Sequence, residues 1–165
     1  MEMSINKMEL KNIVDIAIEK FNEEEIYLIE RDVSERCICS KFAKYLEKEV
    51  KRNEKINEYI VDVEYNRGAK GSEYLPKVLD DTRIVVDLIV HKRGYNPAEN
   101  GFRNLICIEM KKSTNRNGYD SDEKRLEIMT DCSKDFGYKI GYMIKIDMKE
   151  KKLKIKKEFV SLSID

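Results

Sequence analysis

The sequence predicts an α/β fold with a central mixed β-sheet flanked by helices, in the order ααβββαββ. Three observations carry this expectation. Two stretches in the first third repeat apolar residues at helical spacing. Five later stretches are short, rich in β-branched residues and bounded by turn formers. A further helical stretch falls between the third and fourth of them. At 165 residues the chain fits one domain, 1–165, and is long enough to bury a core. Its parts read as an N-terminal amphipathic helix (1–22), a core (31–147) and a C-terminal strand (148–165).

The first helix covers 6–21, where Leu10, Ile13, Val14, Ala17, Ile18 and Phe21 share a face. Asn6 followed by Glu9 resembles a capping box. The run IYLI at 26–29 fits a strand or a loop. Ser34 suits the N-cap of a second helix over 35–50, with Ile38, Phe42, Tyr45, Leu46 and Glu49 in one stripe. In YIVDVEYNR, Val61, Val63 and Tyr65 alternate with Asp62 and Glu64, as on a strand. Residues 67–81 read as a loop. TRIVVDLIVHK reads as a strand buried on both faces, with Asp87 in its middle. A turn-rich segment leads to the strand NLICIEMKK. Asp120 or Ser121 would cap a helix to about Ser133, with Leu126, Ile128, Met129 and Cys132 inward. YKIGYMIKID and KKLKIKKEF close the chain as two strands.

Acidic and basic residues number 32 each, so the net charge is zero. That argues against an indiscriminate nucleic-acid binder but leaves room for a local basic patch beside an acidic site. Cys37, Cys39, Cys107 and Cys132 form no CxxC, and His91 is the one histidine, so a zinc site is not expected. The cysteines read as small core residues in a reducing cytosol. With no signal-peptide pattern and no run of about 18 apolar residues, the expectation is a cytoplasmic protein with no membrane partner.

Two acids stand out. Asp87 lies among Val85, Val86, Leu88 and Ile89, and Glu109 follows Leu105, Ile106, Cys107 and Ile108. A buried, unpartnered carboxylate costs several kcal/mol, so each needs a cation, hydrogen bonds or a cleft. A divalent ion between the two strands would serve both, and magnesium favours one or two carboxylates plus water and phosphate oxygens. Glu109 and Lys111 are two apart and share a face, which sets an ammonium beside such an ion. There it would hold or deprotonate a water, or neutralise phosphate charge. The competing reading is a strand emerging into solvent, with Glu109 and Lys111 in a strand-end salt bridge.

The order of these motifs resembles the PD-(D/E)xK, or restriction-endonuclease-like, nuclease superfamily. IVVDLIVHKRG is similar to its first acidic motif and LICIEMKKS to its ExK motif. SERCICSKFAKYLE is similar to its first core helix, YDSDEKRLEIM to the helix after the ExK strand, and YKIGYMIKI to the last core strand. Val86 stands where the family has proline. The resemblance implies that Asp87 and Glu109 ligate Mg2+ (or Mn2+), with the Met110 carbonyl as third ligand, and that Lys111 positions or activates the attacking water. Glu35 would complete the acidic cluster, although an acid in the first turn of a helix also suits the helix dipole alone. The implied activity is hydrolysis of DNA phosphodiester bonds; the alternatives are an RNA-directed nuclease and a catalytically inactive binding or assembly module.

Arg67, Lys112 and Lys124 are candidate nucleic-acid contacts, as are Tyr65 and Arg125. Lys112 points away from Lys111 and is either solvated or on the phosphate backbone. His91 reads as a surface loop residue. The lysines of KEKKLKIKK read first as a charge-protected sheet edge and second as a basic groove for DNA. The N-terminal helix would pack on the core or form a homodimer interface.

Overall fold

The structure, a computed structural model, describes residues 4–64, 67–70, 73–76, 78–79, 82–83, 85–93, 104–131 and 136–160. Three helices come first: α1 (Lys7–Glu24), α2 (Ile26–Glu30) and α3 (Glu35–Arg52). The first strand, β1, spans Ile60–Val63. Two short hairpins follow, β2 (Arg67–Lys70) with β3 (Glu73–Pro76) and β4 (Val78–Leu79) with β5 (Thr82–Arg83). Then come β6 (Leu88–His91), β7 (Asn104–Lys112), α4 (Tyr119–Thr130), β8 (Ile140–Asp147) and β9 (Lys152–Val160). The five long-range strands form one mixed sheet in the order β1-β6-β7-β8-β9. Among the described strands only β7 and β8 pair in parallel, because α4 carries the chain back between them.

The expected α/β class and mixed sheet hold, while the order ααβββαββ needs two corrections. Residues 26–30 form the short helix α2. There Ile29 is buried and Ile26 and Tyr27 are exposed, a one-sided pattern that five residues after α1 satisfy by another helical turn. The stretch read as a loop over 67–81 contains the β2–β3 hairpin and β4, and β5 takes Thr82 and Arg83 from the start of the expected TRIVVDLIVHK strand. Two glycines and a proline there (Gly68, Gly71 and Pro76) punctuate runs too short to show alternation.

Helix α1 starts with the capping box expected of Asn6 and Glu9: Asn6 Oδ1 accepts from the Glu9 amide at 2.9 Å, and Glu9 Oε2 from the Asn6 amide at 2.8 Å. Ser34 caps α3 by accepting from the Cys37 amide. Phe21 of α1 meets Phe42 and Tyr45 of α3 edge-on, at 6.2 and 5.8 Å between centroids. These two helices cover one sheet face, against Leu88, Val90, Ile106, Ile108, Met110 and Ile144. Helix α4 covers the other, against Ile89, Cys107, Met143 and Phe159. So even positions of β7 face α1 and α3, and odd positions from Cys107 onward face α4.

Helix α4 approaches closely over Gly141. A Cβ there would lie 3.1 Å from both Cys107 Sγ and Thr130 Cγ2. Gly141→Ala is expected to lower stability by about 1–3 kcal/mol through overpacking. Urea denaturation of the two proteins, with the m-value unchanged, checks this.

Candidate active site

The site begins where β6 falls short of β7. Leu88 pairs with Ile108, but β7 continues to Lys112. Along a strand the N–H and C=O of alternate residues point to the same neighbour. The Met110 and Lys112 amides therefore face the side that β6 has left. Two acids meet them: Asp87 Oδ2 accepts from the Met110 amide at 2.7 Å, and Glu35 Oε2 from the Lys112 amide at 2.9 Å. Buried donors of this kind must be satisfied, and these carboxylates do it.

Asp87 is not in the middle of a strand, as the sequence suggested. It lies in a bend one residue before β6. A ladder residue stands its side chain perpendicular to the sheet. The bend instead turns the Asp87 carboxylate toward the end of β7, while its carbonyl accepts from the Glu64 amide at 3.0 Å. Next to the Leu88–Ile108 pair, Asp87 lies beside Glu109, and the two carboxyls share a hydrogen bond.

Glu109 is 3% exposed and Lys111 7%. Both sit under the first half of α4. Arg125 Nε donates to Glu109 Oε1 at 2.7 Å, and Arg125 Nη2 to Asp122 Oδ1. Asp122 Oδ2 holds Lys111 Nζ at 2.6 Å, and Lys111 also donates to the Asn117 carbonyl at 2.6 Å. The result is a chain of alternating charge: Glu109, Arg125, Asp122, Lys111. Gly118 begins α4 at φ 79, a left-handed conformation, and a Cβ there would lie 3.1 Å from Lys111 Nζ. The expected Asp120 or Ser121 cap is absent. Gly118 takes that position because the chain turns tightly over Lys111.

Burial, and then the neighbouring Asp87 charge, push the Glu109 carboxyl up to about 9, against the opposing pull of Arg125. Burial also raises Asp87, offset by the Met110 amide and by a hydrogen bond with the Glu109 carboxyl. Each acid therefore disfavours ionisation of the other. The Cys39 thiol is raised by burial, and then by the charges of Asp87, Glu109, Glu64 and Glu35. No group of three or more His, Cys, Asp or Glu gathers in metal-binding geometry among the described residues. What gathers is two carboxyls, with the Met110 carbonyl on the same side of β7. An all-oxygen set of this size fits magnesium, which keeps several waters.

The other sequence candidates are dispersed. Lys112 points away from Lys111, as expected, and pairs with Asp32 at 2.8 Å. Lys124 is exposed on α4, whereas its neighbour Arg125 enters the site. The Tyr65 residue and the Arg67 side chain lie outside the described residues, as does Cys132. Two readings change. His91 ends β6, is buried, and meets Asp62 Oδ2 at 2.7 Å. Cys37 is exposed, since it falls on the outer face of α3.

Asp122 is the buried group that the sequence reading missed. Extending the inward stripe of Leu126 and Met129 back by three or four residues lands on Asp122 and Arg125. Compared with known proteins, the chain matches no family model, no curated protein and no solved structure.

The raised Glu109 carboxyl carries a stability consequence. Between its ordinary value of 4.5 and about 9, the folded protein keeps a proton that the unfolded chain has lost. The group therefore erodes stability as pH rises through that window. Glu109→Gln, neutral throughout, is expected to gain on the parent by about 2 kcal/mol or more between roughly pH 5 and pH 9. Denaturant melts at both pH values check the sign.

Proposed function

We propose that the protein is a magnesium- or manganese-dependent nuclease of the PD-(D/E)xK type, hydrolysing phosphodiester bonds in DNA. The observation that carries this reading is the side-by-side pair of Asp87 and Glu109 carboxyls, with Lys111 two residues on along the same face. The five-stranded mixed sheet, with Glu109 on β7 and Asp87 in the bend that opens the adjacent antiparallel strand β6, is consistent with that superfamily.

Each residue has a task that follows from its surroundings. Asp87 and Glu109 would hold the ion, with the Met110 carbonyl beside them. A bound ion would supply a polarised water and neutralise charge on the scissile phosphate. Lys111 would orient that water; Asp122 and the Asn117 carbonyl fix its ammonium in place. Asp122 is thus a positioning residue. Glu35, anchored on the Lys112 amide, adds negative charge from the other side of the pair. Arg125 is about one-third exposed and joins Glu109 to Asp122, so it is the cation best placed to turn toward a phosphate.

A second reading is a non-catalytic binding or assembly module. It is favoured by the Arg125–Glu109 ion pair, which already balances the buried acid. Cleavage assays on single- and double-stranded DNA and RNA with manganese separate the two. The parent is expected to cut DNA, and Asp87→Asn and Lys111→Ala each to lower the rate by about 100-fold or more. Cutting RNA alone would move the substrate. No cutting of any substrate, together with no manganese binding by calorimetry, would favour the module.

A further inference from the structure

The α4 side of the sheet extends beyond the acid pair onto β8 and β9, and there it is basic. Lys145 neighbours Lys111 in the parallel register, and Lys154 neighbours Lys145 on β9. Odd positions of β8 face α4, as Met143 shows, so both lysines lie on the site's face. Lys152 pairs with Asp147, two positions further on along the same face.

A β-bulge alters β9 between these positions. Met143 pairs with Lys157 and Ile144 with Ile155, so Lys156 is the extra residue. The bulge puts two consecutive lysines on one face. Lys157 pairs with Glu123 of α4 at 3.0 Å, and Lys156 Nζ lies 3.8 Å from the centre of the Tyr119 ring. The same ring lies 5.3 Å from Lys111 Nζ. Tyr119 thus joins the row of lysines to the site.

The row is not neutralised. Lys145, Lys152, Lys154, Lys156 and Lys157 face Asp147, Glu150 and Glu123, an excess of two positive charges. Lys156 has no carboxylate within ion-pair distance among the described residues. The pairs that Lys152 and Lys154 make with Glu150, and Lys157 with Glu123, lie toward solvent, are worth little and exchange readily for a phosphate, whereas Lys145 is held at 3.0 Å by the buried Asp147. The core side of β9 carries Leu153 and Ile155, so the lysines sit on the face that leads to the acids.

We propose that this row, centred on Lys145 and Lys156, is a track for the phosphate backbone of the nucleic-acid strand that runs to the Asp87–Glu109 pair. It rests on the nuclease reading for its end point. A charge-protected sheet edge would also be lysine-rich, but it would not need the extra residue to meet Tyr119 beside Lys111.

The test is metal-free binding of a fluorescein-labelled single-stranded DNA of about 20 nucleotides, followed by anisotropy across roughly 50–300 mM salt. The variants are Lys145→Gln/Lys156→Gln and, as control, Lys44→Gln/Lys48→Gln on the exposed side of α3. The track variant is expected to lose about 1.4 from the slope of log affinity against log salt, from two phosphate contacts at about 0.7 each. The control is expected to keep the parental slope. An unchanged slope in the track variant, an equal loss in the control, or no binding by the parent would overturn the track. Parental cleavage with an unchanged slope would sink the track and leave the nuclease reading. A reduced slope without any cleavage by the parent would do the reverse.

Discussion

The site depends on one mismatch of length. Strand β7 outruns β6, and the amides of Met110 and Lys112 are left facing a gap in a protein interior. Backbone donors cannot be buried unpaired without a cost comparable to a lost hydrogen bond. Here the replacements are carboxylates: Asp87, from the bend that opens β6, and Glu35, from the first turn of α3. The same constraint that closes the sheet therefore gathers negative charge at its end. Once Asp87 turns toward Met110, it lies beside Glu109, and the acid pair follows.

Such a concentration of acid is unstable without cations, and α4 provides them in an ordered way. Its inward stripe changes character along its length. Leu126 and Met129 cover the apolar half of the sheet face, against Cys107 and Met143. Asp122 and Arg125 cover the charged half. Arg125 balances Glu109, and Asp122 balances both Arg125 and Lys111. Removing one partner from such a network leaves the next one buried and unpaired, which is worse than removing the pair. The arrangement is rigid where Lys111 is held and adaptable where Arg125 reaches solvent. No helix among the described residues is long and apolar enough to cross a membrane.

Local pattern was enough for much of this. The helical spacing of Leu10 to Phe21, the Asn6–Glu9 box, Ser34 and the apolar run of β7 each specify their element, and each is found at or near its expected bounds. Glu109 and Lys111 share the α4 face because strand alternation leaves no other choice. What local pattern could not convey depends on distant partners. The apolar neighbours of Asp87 read as a strand through it; the bend forms because the Met110 amide, 23 residues away, needs an acceptor. Asp122 and Arg125 look like ordinary charges on a polar helix until the acids beneath them are known. His91 reads as a loop residue until Asp62 of β1 is placed beside it. Short apolar runs such as 26–30 do not distinguish helix from strand at all.

Anomalous difference density from crystals soaked in manganese tests the central claim most directly. The expected result is one peak between the Asp87 and Glu109 carboxylates, on the side of the Met110 carbonyl, with Arg125 drawn away from Glu109. Density empty at that point, with the Arg125–Glu109 ion pair intact at full manganese occupancy elsewhere, would contradict it.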